Sequence, residues 1–148
     1  MQGTLELVLI PVTDVDRAKA FYTGAAGFIL EVDTPVGDDN RIVQVTPPGS
    51  ACSVGFGSGP GLALGTDLAE PGSQRGLHLV VEDIVAAREE LTSRGVKVGD
   101  IRHYRDGRWS PGRDPERSSY MSFAEFSDPD GNTWLLQEVR RDAEAGER

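Results

Sequence analysis

The stretch SDPDGNTWLLQEV, residues 127–139, joins an acidic turn to an apolar strand that ends in Gln137 and Glu138. A turn of this kind can present a carboxylate to a metal ion, or it can simply connect two strands. Pro and Gly favour the backbone angles of a tight turn, and Asn132 tolerates the left-handed conformation. Whether this turn delivers a metal ligand decides which chemistry the chain can perform.

A second stretch with chemical potential, residues 100–120, contains five arginines and four acidic residues. Its length and polarity predict a long loop, and such loops are often functional. As a lid it would supply aromatic stacking and a cation for an anionic or carboxylated ligand. Alternatively, its arginines pair with its own acidic residues at the surface. Its candidate ligand contacts are His103, Tyr104, Arg105, Trp109, Arg113, Arg117 and Tyr120.

The composition narrows the class of protein that carries these stretches. The 148 residues are 38% hydrophobic and 26% charged, which is typical of a folded globular chain. A formal net charge of -9 argues against a nucleic-acid partner, because phosphate binding needs a basic surface. The single cysteine excludes an intrachain disulfide and a Cys-rich zinc site. With no secretory leader and no apolar run of about 20 residues, we expect a cytoplasmic protein without a membrane partner.

The first half of the chain predicts a strand followed by a helix. Residues 5–12 are apolar and β-branched, as in a buried strand. Thr13 or Asp14 can cap the helix that follows, and Gly24 or Gly27 can end it.

The second half repeats this order. Residues 76–96 predict a strand, an acidic cap at Asp83 and a helix that stops at Gly95. Residues 43–56 and 124–139 then each predict a strand, a Pro-Gly turn and a strand. Four matches in the same order indicate an internal duplication, in which each half is a strand, a helix and about three strands. We therefore predict a first βαβββ module at 4–57, a linker at 58–75, a second module at 76–139 with the loop 100–120, and a frayed tail at 140–148.

These two halves, with LIPVTDVDRAKAFY near the start and FSDPDGNTWLLQEV near the end, resemble the vicinal oxygen chelate superfamily. That superfamily includes glyoxalase I, extradiol dioxygenases, fosfomycin and bleomycin resistance proteins, and methylmalonyl-CoA epimerase. The resemblance covers roughly residues 4 to 139. It implies an α+β fold of two tandem βαβββ modules that form an open, curled mixed sheet around a cleft. It also implies a homodimer.

The resemblance further implies where a metal ion would be held. Metal-using members bind a divalent ion through four side chains, mostly His and Glu, on the first and last strands of each half. By the family spacing, three of these positions hold Leu7, Gly76 and Leu135. Aligning the two halves, with Gly49-Ser50 matched to Gly131-Asn132, places Ser53 at the fourth. Leu and Gly offer no donor atom, and a serine hydroxyl is a poor ligand for a divalent ion. The acidic turn is therefore predicted to position a strand without delivering a metal ligand, and we expect no cofactor.

Strand alternation around these positions predicts a largely apolar cleft with a few polar groups. His78 can act there as an acid or base, or can be a hydrogen-bonded structural histidine. Gln137 can bind a ligand carbonyl or pair with the backbone. A displaced metal site of His78, Gln137 and Glu125 is a further alternative, although Glu125 can equally face solvent. The predicted ligand-binding residues are Leu7, Ser53, His78, Gln137, Tyr104, Arg105 and Tyr120, and the candidate catalytic residues are His78 and His103.

The function that these features predict is metal-independent binding of a small organic molecule, including an anionic one, in the manner of the bleomycin resistance proteins. An alternative is a lyase or isomerase in which a cleft histidine transfers a proton. A metal-dependent glyoxalase-like or dioxygenase-like activity is the third reading, and the four positions without good ligands argue against it.

Overall fold

A computed structural model describes residues 1–38, 40–58 and 69–141. Within these ranges the chain forms two open mixed sheets and two α-helices, so the predicted α+β class and the βαβββ repeat are confirmed. No described helix is long and apolar enough to cross a membrane. The elements in chain order are β1 (Leu7–Leu9), α1 (Val15–Ala20, continued by a π-helical turn at Phe21–Ala25), β2 (Ile29–Pro35), β3 (Arg41–Thr46), β4 (Ser53–Ser58), β5 (Leu77–Val81), α2 (Ile84–Ser93), β6 (Arg102–Arg105), β7 (Arg108–Pro111), β8 (Ser122–Ser127) and β9 (Thr133–Glu138).

Unit 1 comprises Met1–Gln74 together with Asp128–Asn132. Its sheet has the order β1-β4-β3-β2, in which β1 and β4 are parallel and the other pairs antiparallel. The side chain of Asp14 accepts a hydrogen bond from the backbone N–H of Arg17 at 3.0 Å, so Asp14 is the cap of α1. The core consists of fully or almost fully buried side chains, which include Ile10, Ala18, Tyr22, Val43, Val45, Val54 and Phe56.

Unit 2 comprises Arg75–Ser127 and Thr133–Arg148. Its sheet has the order β5-β9-β8-β6-β7, with only β5 and β9 parallel. The predicted cap of α2 is confirmed, because the Asp83 carboxylate accepts from the backbone N–H of Ala86 at 3.1 Å. Helix α2 packs on β8 and β9, and the Phe126 and Trp134 rings stack beneath it with centroids 6.1 Å apart.

The segment 100–120 is not the continuous loop that its polarity predicts. Strands β6 and β7 form a hairpin within it, joined by Asp106 and Gly107, both of which have positive φ values, 54° and 77°. Two central residues with positive φ are the mark of a type I′ turn, whose twist matches that of the flanking strands. Among the described residues, the sheet of unit 2 therefore has one more strand than the sheet of unit 1.

Two predicted segments fall partly outside the described residues. Of the linker 58–75, residues 59–68 lie outside them, and of the tail 140–148, residues 142–148 do.

The acidic turn Asp128–Asn132 belongs to unit 1, although the strands that it connects belong to unit 2. Its central group is the Asp128 carboxylate, which is buried. One oxygen accepts the backbone N–H groups of Asp130 and Asn132 at 2.9 and 3.0 Å. The other accepts the Tyr22 hydroxyl at 2.8 Å and the Asn132 amide at 2.7 Å. All four bonds hold the turn in place, and no oxygen is left to bind a metal ion.

The rest of the turn is fixed as tightly. The Asp130 carboxylate accepts the Thr13 hydroxyl at 2.6 Å and pairs with Arg17 at 3.3 Å. The Asn132 amide donates to the Pro11 carbonyl at 2.9 Å. Gly72 has a φ of 79°, and a Cβ atom there would lie 2.1 Å from the Asp130 carbonyl oxygen. Only glycine allows this close approach, so this part of the fold depends on an exact backbone fit.

Candidate functional site

One side of the unit 2 sheet carries an exposed group of aromatic side chains. Along β8 and β9 every second residue is buried on the side of α2, as Ala124 and Leu136 are. The residues between them, among them Phe123 and Gln137, face the other way. Cross-strand pairing extends this second side to β5, β6 and β7. We call its ring-bearing residues, His78, Tyr104, Trp109 and Phe123, the aromatic face.

The rings of the aromatic face form a continuous series. The Tyr104 and Trp109 centroids are 5.3 Å apart, those of Trp109 and Phe123 are 5.5 Å apart, and those of Phe123 and His78 are 6.5 Å apart. All three contacts are edge-to-face. The guanidinium carbon of Arg102 lies 4.8 Å from the centre of the Trp109 ring, as in a cation–π contact. Trp109 is nevertheless 53% exposed and Tyr104 is 40% exposed, so these rings offer surface to a ligand.

The hydrogen bond of His78 fixes its tautomer. Its Nδ1 atom lies 2.8 Å from the Gly76 carbonyl oxygen. A carbonyl can only accept, so Nδ1 carries the proton in the neutral ring and Nε2 is left with a free lone pair. Because His78 is exposed, this lone pair can accept a hydrogen bond from a ligand or take up a proton.

Gln137 shares the side of His78, as alternation predicts, and its amide is engaged by the backbone. Its Nε2 donates to the Tyr120 carbonyl at 3.2 Å, while the Tyr120 N–H donates to the Glu138 carbonyl at 2.8 Å. Tyr120 adopts a positive φ of 72° and its side chain is 42% exposed. Gln137 thereby holds Tyr120 beside the last strand and keeps its amide oxygen for a further partner.

His103 and Arg105 lie on the opposite side of the hairpin from Tyr104. His103 Nδ1 is 2.8 Å from the Gly112 carbonyl oxygen. The Arg105 guanidinium contacts Asp114 at 3.1 Å and Glu116 at 2.9 Å, and these carboxylates raise its pKa. The structure therefore separates these two predicted site residues from His78, Tyr104 and Gln137, and Arg105 is already paired.

In unit 1, the predicted metal position Leu7 pairs with Ser53 across parallel strands. The Ser53 hydroxyl lies 2.6 Å from the Thr46 hydroxyl. Leu7 and Leu9 lie over Gly55, so that a Cβ atom there would be 3.1 and 3.2 Å from their methyl groups. This surface also carries Gln44, which pairs with Gly55 across the strands; Leu7 and Leu9 suit an organic group, and one amide with one hydroxyl pair is a poor ligand set for a divalent ion.

The pairing of the β-strands corrects one of the four predicted metal positions, Ser53. Leu9 lies opposite Gly55 in unit 1, as His78 lies opposite Leu135 in unit 2. The counterpart of Leu135 is therefore Gly55 and not Ser53, because the turn between β3 and β4 has six residues (47–52) and the turn between β8 and β9 has five (128–132). Glycine also lacks a donor atom, so the family's ligand set does not fit a metal ion here.

The three residues of the displaced metal site, His78, Gln137 and Glu125, lie on one side of the sheet, but the Gln137 amide is engaged by the Tyr120 carbonyl. Glu125 shares a cross-strand row with Leu135 and His78, and its side chain is exposed. Within the described ranges, no three His, Cys, Asp or Glu side chains are grouped closely enough to hold a metal ion.

Asp114 and Glu138 are fully buried carboxylates that hold the segment after β7 in place. The sequence alone did not single them out. Burial pushes the pKa of Asp114 up, but hydrogen bonds from the Ser118 N–H and from Arg105 outweigh it and leave the pKa below its usual value. The Glu138 carboxylate accepts from Arg117 at 3.1 Å and from the Ile84 N–H at 3.1 Å. These contacts fix the segment in place, so it does not form the lid that the sequence allowed.

The sequence of this chain also matches a known protein family. The family model of the Glyoxalase/Bleomycin resistance protein/Dioxygenase superfamily matches residues 4–136. The chain belongs to this superfamily. The resemblance predicted from the sequence is thereby confirmed, for a member whose usual metal-ligand positions hold Leu7, Gly55, Gly76 and Leu135.

Solved structures of the superfamily show the same fold. TnmS3, an antibiotic binding protein from Streptomyces sp. CB03234, is 32% identical with a TM-score of 0.68, and the match covers 93% of this chain and 97% of TnmS3. A glyoxalase/bleomycin resistance protein from the same organism is 34% identical with a TM-score of 0.66, over 91% of this chain and 100% of that one. The uncharacterized protein YetH of Bacillus subtilis (strain 168) is 27% identical over 88% of this chain and 94% of YetH.

Proposed function

We propose that this protein is a metal-independent binding protein for a small aromatic organic molecule, which it holds on the aromatic face of unit 2 as part of a homodimer. The observation that carries the proposal is the exposed series of rings from Tyr104 to His78. TnmS3, which this chain resembles over nearly its whole length, is an antibiotic binding protein, and this similarity supports the same class of function.

The physical reason lies in what the exposed rings gain from a ligand. Edge-to-face contacts leave one face or edge of each ring open to solvent, where its hydration is unfavourable. A planar aromatic molecule that covers Trp109 and Phe123 removes apolar surface from water at about 25 cal/mol per Å². It also adds ring–ring contacts of about 0.5–1.5 kcal/mol each. An aliphatic ligand of equal size gains only the first of these two contributions.

Replacing Trp109 with alanine should weaken the binding of 2-naphthol, a neutral two-ring probe, by about tenfold to a hundredfold, since the largest exposed ring is lost. Isothermal titration calorimetry measures this change. The matched control is Val85→Ala on α2, which also removes an exposed apolar side chain but on the other side of the sheet, and which should leave binding unchanged. Excess chelator should have no effect. Equal binding by the Trp109 and Val85 variants would rule out the aromatic face as the site.

A second candidate function, proton-transfer catalysis by a lyase or isomerase, is favoured by one observation, the free Nε2 lone pair of His78. 2-Acetonaphthone has exchangeable protons next to its carbonyl, and NMR in D₂O reports their exchange. An enzyme would accelerate this exchange, His78→Gln would abolish the acceleration, and His103→Gln, on the other side of the hairpin, would retain it. For a binding protein we expect no acceleration in any of the three chains, and His78→Gln should change only the affinity, by severalfold.

A further inference from the structure

The aromatic face has a charge at one end that nothing in the described chain neutralises. Arg102 is the one cation that the pairing register places on this side of the unit 2 sheet, among the residues that the structure describes. It pairs with Phe123 across the strands and stacks on Trp109. Its guanidinium therefore lies beside the two rings that a planar ligand would cover.

Several neighbouring arginines, unlike Arg102, are paired with carboxylates. Arg105 pairs with Asp114 and Glu116, and Arg117 pairs with the buried Glu138. Arg102 makes no carboxylate contact within 4.0 Å in the described part of the chain, although the protein has 24 acidic residues and 15 basic ones. A guanidinium that lies over an indole and has no carboxylate partner can bind a planar anion through two parallel hydrogen bonds.

At His78, the aromatic face offers a hydrogen-bond acceptor, whereas at Arg102 it offers a cation. His78, Leu135 and Glu125 form one cross-strand row, so the Glu125 carboxylate lies on the same side as the His78 ring. The free lone pair of His78 accepts a hydrogen bond, and the Glu125 carboxylate, two strands away on the same side, disfavours a second anion. This end therefore favours an O–H or N–H donor on the ligand.

We propose that the ligand is an elongated aromatic acid, whose carboxylate or similar planar anion binds Arg102 and whose hydroxyl or amine donor reaches His78. This inference rests on the proposed function and adds the polarity and orientation of the ligand. From β6 through β8 and β9 to β5 there are three strand spacings, which correspond to about 14 Å. That span suits two or three fused rings with a polar group at each end.

Four naphthalene probes test the polarity: 2-naphthol, 2-naphthoate, 6-hydroxy-2-naphthoate and 2,6-naphthalenedicarboxylate. Calorimetry should rank 6-hydroxy-2-naphthoate as the tightest and the dicarboxylate below it by about tenfold, because its second anion meets Glu125. Arg102→Gln should weaken both mono-carboxylates by about tenfold or more and change 2-naphthol by less than about threefold. Added NaCl should weaken only the carboxylates appreciably.

Arg108→Gln is the matched control for Arg102→Gln. Arg108 lies on the same hairpin, is exposed and carries the same charge, but it follows Arg105 in pairing and so lies on the opposite side of the sheet. If the Arg102 and Arg108 variants lose carboxylate affinity equally, the assignment of Arg102 is wrong, while binding of 2-naphthol that depends on Trp109 would still support the proposed function. If no probe binds the native protein, both the proposed function and this inference are overturned.

Discussion

Replacing Asp128 with alanine should lower the free energy of unfolding by about 3–5 kcal/mol, one of the two largest effects expected for a single substitution in this chain. The carboxylate is 5% exposed and satisfies four donors. Alanine leaves the Tyr22 hydroxyl and the Asn132 amide buried without this acceptor. Each unsatisfied buried polar group costs about 1–3 kcal/mol. Urea denaturation followed by circular dichroism measures the loss.

Two milder substitutions divide this loss into its parts. Asp128→Asn keeps an oxygen for the two backbone N–H groups, but its own amide then faces the Asn132 amide, donor against donor, at the present distance of 2.7 Å. We expect a cost of about 2 kcal/mol. Tyr22→Phe removes one donor and should cost about 1 kcal/mol. Asp38→Ala, at an exposed carboxylate, is the control and should stay within about 0.5 kcal/mol of the native protein.

The series also tests what the acidic turn is for. If Asp128→Ala costs less than about 1 kcal/mol, the network is not what holds the turn, and a ligand role for the carboxylate must be reconsidered. A graded loss in the order Ala, Asn and Phe supports a structural turn. That outcome would explain the DPDGN sequence by the hydrogen bonds that hold the turn, with no need for a metal ion.

Local signals explain why the fold was predictable. Asp14 and Asp83 cap their helices as their positions indicate, since capping depends on a few neighbouring residues. Trp134 is buried, as alternation along β9 predicts. The hairpin at Asp106 and Gly107 was missed, although an Asp-Gly pair flanked by Tyr104 and Trp109 is a recognised hairpin signal. The density of charge around it favoured the loop interpretation.

The site was less predictable because it depends on register. The register of the hairpin decides which side of the sheet each of two adjacent residues faces, so Tyr104 lies on the aromatic face and Arg105 does not. The same turn selects Arg102, which sequence reasoning passed over among five nearby arginines. Pairing between distant strands likewise replaced Ser53 with Gly55. A local sequence pattern does not determine how strands that are distant in the sequence pair with each other.

The burial of the Glu138 carboxylate was likewise not predictable from the local sequence. Glu138 ends an apolar strand and resembles the start of the polar tail, yet it is fully buried. Its partners Arg117 and Ile84 are far from it in sequence, and the backbone of Arg117 adopts a positive φ of 52°. A non-glycine residue in this conformation is uncommon and persists where surrounding contacts compensate for it. The strained backbone and the buried ion pair are thus parts of one structure.

Replacing Glu138 with alanine should lower the free energy of unfolding by about 3–5 kcal/mol, because it leaves the Arg117 guanidinium half-buried without its counter-ion. The Ile84 N–H at the start of α2 also loses its acceptor. Glu138→Gln retains an oxygen for that N–H but not the charge, so we expect a smaller loss of about 1–3 kcal/mol.

The double substitution Arg117→Met with Glu138→Leu separates the penalty of an unpaired charge from the net contribution of the pair. With both charges removed, no buried ion is left without a partner, and apolar side chains of similar size can fill the space. Denaturation of the two single variants and the double variant should give a coupling energy of about 1–3 kcal/mol. Costs that add to within about 0.5 kcal/mol would mean that the pair is not coupled. In that case Arg117 would owe its left-handed conformation to the Asp114 carbonyl, which accepts its backbone N–H at 2.8 Å, and not to Glu138.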